Sequence, residues 1–218
     1  MIKKNKKLPK ILVDGFKSWE KNLSIKKKNN YLKFSKIGQK PHSFVISCCD
    51  SRVCPNTIFG SDLGQLFVHR NIANLIPIFN KRNMPQETAS AIEYAVKYLK
   101  IKNIIVLGHS NCGGIKQAYD IFSNNKKNSK NLFIDNWVKQ LKKVYISIKN
   151  EINDIKSLEV FEQESIKCST QNLKTFPFIN KAIKEEKIQI FGLWYNLKDR
   201  SLYNYNSNNN TFELINQV

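Results

Sequence analysis

Residues 103–115 read NIIVLGHSNCGGI, and this stretch decides the fold. An unbroken apolar run rich in Ile and Val predicts a strand covered on both faces. It stops at Gly108, and a helical pattern resumes after Gly113–Gly114, so the segment predicts strand, turn and helix. A second run, SFVIS at 43–47, leads straight into Cys48-Cys49-Asp50-Ser51-Arg52. LFVHR at 66–70, just after Gly64, predicts a third strand. KIQIFGLWY at 187–195 and SLYNY at 201–205 predict two more, joined by a turn near Lys198–Asp199. Between them, apolar residues at helical spacing predict helices over 86–100 and 131–167, the latter with Trp137, Leu141, Val144 and Ile148 on one face. Ile11, Leu12, Phe16, Trp19 and Leu23 predict an amphipathic helix over 8–23, followed by a short helix and a loop over 24–41. The Asn- and Lys-rich runs at 123–131 and 206–210 read as loops. The expected class is α/β: a mostly parallel central sheet of four strands plus an antiparallel edge strand, helices on its faces, and an N-terminal helical arm. We expect one domain over 1–218, with the arm at 1–38 and the α/β core at 39–218.

The chain has 218 residues, 41% of them hydrophobic, which suits one large domain with a single core. The basic start MIKKNKKLPK is followed by ILVDGFKSWEKN, which breaks after three apolar residues, so we expect no processed leader. No apolar stretch approaches the roughly 18 residues of a membrane span. The expectation is a soluble cytoplasmic protein. A net charge of +19 raises nucleic acid as a partner. The cations are nearly all Lys, however, with Arg only at 52, 70, 82 and 200, and they are scattered. A nucleic-acid reader concentrates Arg and aromatics on one face, so we expect no nucleic-acid partner. Five cysteines, three of them within seven positions, make a poor disulfide framework. Such clusters in a reducing compartment point to metal binding or catalysis.

In open α/β sheets, sites form beyond the carboxyl ends of the strands, and both cysteine-bearing segments fall there. Alternate residues leaving a strand project to one side. Cys48 and Asp50 then share a pocket with Arg52 beside Asp50, while Cys49 points away as a small buried residue. His109 and Cys112, three apart in the turn after 103–108, can bite one metal, and Gly113 and Gly114 let the backbone come close. Zinc takes four ligands tetrahedrally, so two thiolates and one imidazole leave an open position, which marks a catalytic site. The chain has no C-x-x-C, and it lacks the two close ligand pairs of a structural zinc finger. We expect Cys54 and Cys168 to be buried thiols, His42 a surface histidine and His69 a packed one.

Cys48-Cys49-Asp50-Ser51-Arg52-Val53, Arg70-Asn71-Ile72-Ala73-Asn74 and Gly108-His109-Ser110-Asn111-Cys112-Gly113-Gly114 resemble the β-carbonic anhydrase motifs, in the family's order and spacing. The resemblance runs from about Gly38 to Ile115. Ala91–Val96 and Asp50–Pro55 lean toward the plant-like branch. It implies reversible hydration of CO2 to bicarbonate and a proton by zinc-bound hydroxide. Zinc would be held by Cys48, His109 and Cys112, with Asp50 either filling the fourth position or leaving it to pair with Arg52. Gln39 would donate its amide to substrate. Phe67, Ile72, Tyr94 and Gly113 would line the CO2 site, in part supplied across the interface of a homodimer or a multiple such as a tetramer. Val45 departs from the tryptophan that some bacterial members carry as part of an inhibitory bicarbonate site, so that regulation is not expected here. Two rival functions remain: a related zinc hydrolase of COS or CS2, and a basic, zinc-stabilised nucleic-acid-binding module.

Overall fold

The computed structural model describes residues 7–82, 84–123, 131–149 and 157–215. The chain divides into two compact units, Met1–Gln39 and Lys40–Val218. The first holds helices α1 (Lys10–Lys21) and α2 (Ile25–Ile37). Ser24 caps α2 by accepting the Lys27 N–H, satisfying one orphan donor of the first turn. Trp19 meets Tyr31 edge-on, with centroids 5.8 Å apart. Neither helix has a buried residue, and Ile11, Leu12, Phe16 and Ile25 are exposed.

The second unit is built on a six-stranded sheet in the order β2-β1-β3-β4-β5-β6. In chain order its elements are β1 (Ser43–Cys48), α3 (Pro55–Ile58), β2 (Leu66–Asn71), α4 (Gln86–Glu93), β3 (Asn103–His109), α5 (Gly113–Phe122), α6 (Leu132–Val138), α7 (Lys142–Ile148), α8 (Ser157–Lys174), α9 (Pro177–Lys184), β4 (Gln189–Tyr195), β5 (Leu202–Asn206) and β6 (Thr211–Leu214). The first four strands pair in parallel, as their β-branched, non-alternating sequences predict. β5 and β6 turn back antiparallel. All six residues of β1 are buried, which fits its central place.

The fold class is the expected one, with three differences of detail. The sheet carries a second antiparallel strand, β6. Its sequence TFEL is short and has no buried residue, so it gave no hydrophobic signal. Asn210, at φ 60°, closes the turn before it, a conformation Asn tolerates. The expected helix over 86–100 widens into a π turn at Tyr94–Tyr98. The expected helix over 131–167 is split: α6, a 3-10 turn at Lys139–Leu141, α7 and then α8, with 150–156 outside the described residues. Leu141 and Ile148 are nonetheless buried on the expected face. Most of the expected loop at 123–131 also lies outside the described residues.

Three apolar clusters pack on the sheet, a small one of Val45, Val53, Leu107 and Leu193 and two larger ones. One joins Phe44, Ile46, Ile104, Val106 and Trp194 to Ile92, Ile166 and Phe176. The other gathers Cys48, Ala73, Leu75, Cys112, Ile115, Val138, Leu141 and Phe161. Two cysteines therefore sit inside a packed apolar wall at the carboxyl ends of β1 and β3.

Candidate metal centre

The register places the site. β1 and β3 are parallel neighbours with Ser47 opposite Leu107, so Cys48 and His109 emerge side by side. Cys112 is the N-cap residue of α5, reached through Asn111 at φ 54°. The Cys48 and Cys112 sulfurs are 3.9 Å apart, and one ligand atom from each of Cys48, His109 and Cys112 lies within 4.8 Å of the others. All three residues are buried. His109 Nδ1 donates to the Ser110 carbonyl at 2.9 Å, which leaves the lone pair on Nε2. That Nε2 is buried without a hydrogen-bond partner. A buried acceptor aimed at two sulfurs is costly unless a cation satisfies it.

The sulfurs themselves show the same demand. The Cys112 S–H hydrogen bond pulls the Cys48 thiol down to about 4, against the opposing effect of burial, with His109 and the N–H groups of Asp50 and Ala73 adding to it. Cys112 is pushed up by the same bond and by burial. Two buried sulfurs 3.9 Å apart, one of them held below the ordinary thiol value, are placed to share one divalent cation. Soft thiolates with one imidazole, in this number, suit zinc.

Asp50 stands beside the three donors but is engaged elsewhere. Arg52 Nε donates to Oδ1 at 2.9 Å and an Arg52 terminal nitrogen to Oδ2 at 2.6 Å, a bidentate pair. The Arg52 backbone N–H also reaches Oδ1. The guanidinium holds this carboxyl well below the usual carboxylate range. Of the two placements expected for Asp50, the structure shows the one paired with Arg52, with Oδ2 3.9 Å from His109 Nε2. Arg52 also donates to the Asn111 carbonyl at 3.1 Å, tying the two ligand-bearing turns together.

Other expected residues divide. Ile72 and Gly113 line a cavity of about 440 Å³ with Cys48, Asp50, Gly114 and Ile134. Phe67 and Tyr94 do not line it. β2 is the edge strand, and Phe67 packs between Phe44 and Tyr94 in an aromatic row that ends in the exposed Tyr98. Gln39 is exposed at the end of the first unit. Gly114, rather than Gly113, is the glycine that space requires. A Cβ on Gly114 would lie 2.6 Å from Ile72 Cγ2, whereas Gly113 faces open space. Cys49 is exposed, not buried, and it lines the cavity mouth. Cys54, the N-cap residue of α3, is exposed, and Cys168, on α8, is half-buried. His42 is exposed, and His69 packs with Nε2 3.1 Å from Thr88 Oγ1.

Three supporting residues escaped the sequence reading. Arg70 donates to the carbonyls of Cys48, Asp50 and Val53 at 2.9, 2.7 and 2.8 Å, cradling the first turn. Arginine in a lysine-rich chain was the available signal, since only its planar fork serves several acceptors at once. Glu162 of α8 is buried. It accepts the Cys112 N–H at 2.9 Å and the Trp194 indole N–H at 3.2 Å. Burial pushes its carboxyl up to about 7. Trp137 donates its indole N–H to the Ile72 carbonyl at 2.8 Å. Nothing local in sequence marks the last two, because both contacts span 50 residues or more.

A buried site of two thiolates and one imidazole, opening on a small cavity at the carboxyl end of a parallel sheet, defines a catalytic-type zinc protein of the α/β class. The family described as carbonic anhydrase matches residues 43–202. Beta carbonic anhydrase 6, mitochondrial, of Arabidopsis thaliana is 39% identical over 76% of this chain, and the match spans 57% of that relative's length. A carbonic anhydrase of Helicobacter pylori is 33% identical over 84% of each chain. The solved β-carbonic anhydrase CcaA superposes with a TM-score of 0.85 at 29% identity, covering 94% of this chain and 98% of that one. A tetrameric β-carbonic anhydrase of Sordaria macrospora superposes at 0.75 with 28% identity, covering 89% and 94%. The chain belongs to the β-carbonic anhydrase family.

Proposed function

We propose that the protein hydrates CO2 reversibly to bicarbonate and a proton, with zinc held by Cys48, His109 and Cys112. One observation carries the reading: a buried imidazole nitrogen without a hydrogen-bond partner clusters with two buried sulfurs 3.9 Å apart. Zinc supplies Lewis acidity, which lowers the pKa of water enough to furnish hydroxide near neutral pH. The chain's own groups do the rest. Ile72 and Ile134 give the cavity an apolar wall suited to an uncharged linear substrate. Asp50 Oδ2, fixed by Arg52, accepts a hydrogen bond from the attacking hydroxyl and so aims its lone pair at carbon. Arg52 keeps Asp50 engaged, so that Cys48, His109 and Cys112 are the three side chains that would hold zinc. Gln39 is proposed to donate its amide to the developing oxyanion.

We further propose a homodimer or a multiple of it. The free edge of β2, the aromatic row Phe67–Tyr94–Tyr98 and the exposed apolar face of α1 support this, since each is surface that a second copy would cover. Phe67 and Tyr94 would then serve the partner's cavity. A reducing compartment, the cytoplasm, suits a site that depends on free thiols, and the five cysteines are free.

Stopped-flow CO2 hydration combined with metal analysis tests the function. We expect about one zinc per chain and a rate that climbs on the alkaline side of neutrality, because two thiolates cancel the zinc charge and leave bound water less acidic than a three-histidine site would. Asp50→Asn should lower kcat/KM about 10- to 100-fold with zinc retained. A zinc-loaded protein that cleaves COS but leaves CO2 untouched would refute the proposal.

A further inference from the structure

The loop after β2 adopts backbone that its residues disfavour. Ala73 has φ 63° and Asn74 φ 48°, the left-handed region that non-glycine residues seldom enter. Such strain persists only where the surroundings over-determine it, and it gathers at functional sites. Here the surroundings are explicit. Asn71 bridges the loop by accepting the Leu75 N–H and donating to the Leu75 carbonyl, both at 2.9 Å. Ser169 donates to the Asn74 carbonyl at 3.3 Å. Gly114 comes so close that a Cβ there would lie 2.9 Å from Ala73 Cβ. From α6, the Trp137 indole N–H reaches the Ile72 carbonyl at 2.8 Å.

The loop delivers two things to the metal centre. The Ile72 side chain forms part of the cavity wall, and Ala73 is buried in the same apolar cluster as Cys48 and Cys112. We propose that Trp137 is a positioning residue for this centre: its indole N–H pins the Ile72 carbonyl and thereby holds Ile72 against the cavity and Ala73 in the apolar wall around Cys48 and Cys112. An indole kept only for packing against the neighbouring apolar cluster would need no aligned donor, and any ring of similar size would serve. The apolar shell around a metal site controls its solvent access and local dielectric, so losing the pin should change the metal's electronic surroundings as well as the rate.

The inference rests on the metal centre proposed above, and its test separates the two. Cobalt(II) replaces zinc in wild type and in Trp137→Phe, and the sulfur-to-cobalt charge-transfer bands are recorded beside CO2 hydration kinetics of the zinc forms. Trp137→Phe should keep one metal per chain, shift those bands and lower kcat/KM by about tenfold. Trp137→His, which restores a ring N–H, should recover part of both changes. Phe133→Leu, on the same helix at 84% exposure, should change neither. Should Trp137→Phe misfold, β-(3-benzothienyl)alanine at position 137 removes the N–H at nearly constant shape and takes its place. Bands and kcat/KM unchanged in the folded N–H-less variant overturn the proposal, even with a lower Tm. A shifted spectrum together with a wild type that does not hydrate CO2 would instead sink the functional reading and leave the positioning role standing.

Discussion

The two turns that carry the metal donors are held in different ways. The turn after β1, Cys48–Val53, is held by charge and hydrogen bonds: Arg70 grips three of its carbonyls, and Arg52 locks Asp50. The turn after β3, Ser110–Gly114, shares Arg52 through the Asn111 carbonyl but adds close packing and one buried carboxylate. Gly108 lies so near Ile166 that a Cβ would come within 2.5 Å, Gly114 presses on Ile72 and Ala73, and Glu162 takes the Cys112 N–H. The side that presents Asp50 rests on polar contacts made by two arginines. The side that carries Cys112 adds close backbone packing, which only glycine permits at Gly114.

Removing a donor from the packed turn should have the largest effect. Cys112→Ala should abolish both zinc binding and CO2 hydration while the far-UV circular dichroism stays native, because the remaining Cys48 and His109 make a poor site. Retained stoichiometric zinc would show that the donor set is misassigned. Next comes the polar turn. Arg70→Lys keeps the charge but loses the fork, leaving carbonyls poorly paired. We expect about 1–3 kcal/mol lower stability in urea unfolding, with a loss of kcat/KM, since both Cys48 and Asp50 hang from those carbonyls. Gly114→Ala attacks the packed turn by volume. Its Cβ overlaps Ile72 and Ala73, so a cost of about 1–3 kcal/mol is expected, together with weaker substrate capture as the cavity wall is displaced. If Arg70→Lys proves silent and Gly114→Ala severe, both turns depend on packing and the contrast fails.

The smallest expected effect concerns pH. Arg52 holds the Asp50 carboxyl below its ordinary value, so the folded protein binds that proton less readily than the unfolded chain does. The pair's contribution is present above the ordinary carboxylate value and is lost only as pH falls through the lowered one. Between pH 8 and pH 5 the pair should therefore stay intact. The acid limb of the rate profile should keep its midpoint in Asp50→Asn even as the rate falls. A limb that moves with this substitution would assign the titration to Asp50.

What the sequence revealed follows the range of the interactions. Cys48, His109 and Cys112 were legible because each sits within three residues of a strand end whose apolar run is unmistakable. The four parallel strands were legible for the same reason, and the shared face of Cys48 and Asp50 followed from strand alternation. β6 was not, since TFEL buries nothing. Cys49 was misjudged as buried because alternation beyond the last paired residue of a strand no longer tells core from cavity mouth. Phe67 and Tyr94 are pocket residues only through the family resemblance; within this chain Phe67 lies on the edge strand β2 with Tyr94 packed on it, and strand order is a property of the whole sheet. Glu162 and Trp137 act on the site from helices far along the chain, so only the folded structure brings them to Cys112 and Ile72.

The central claim is that two thiolates and one imidazole converge on one zinc ion with a place left for solvent. X-ray absorption at the zinc edge of the purified, zinc-loaded protein tests it most directly. The account predicts two sulfur scatterers at about 2.3 Å and two nitrogen or oxygen scatterers at about 2.0 Å. A first shell of nitrogen and oxygen alone, or of four sulfurs, would contradict it.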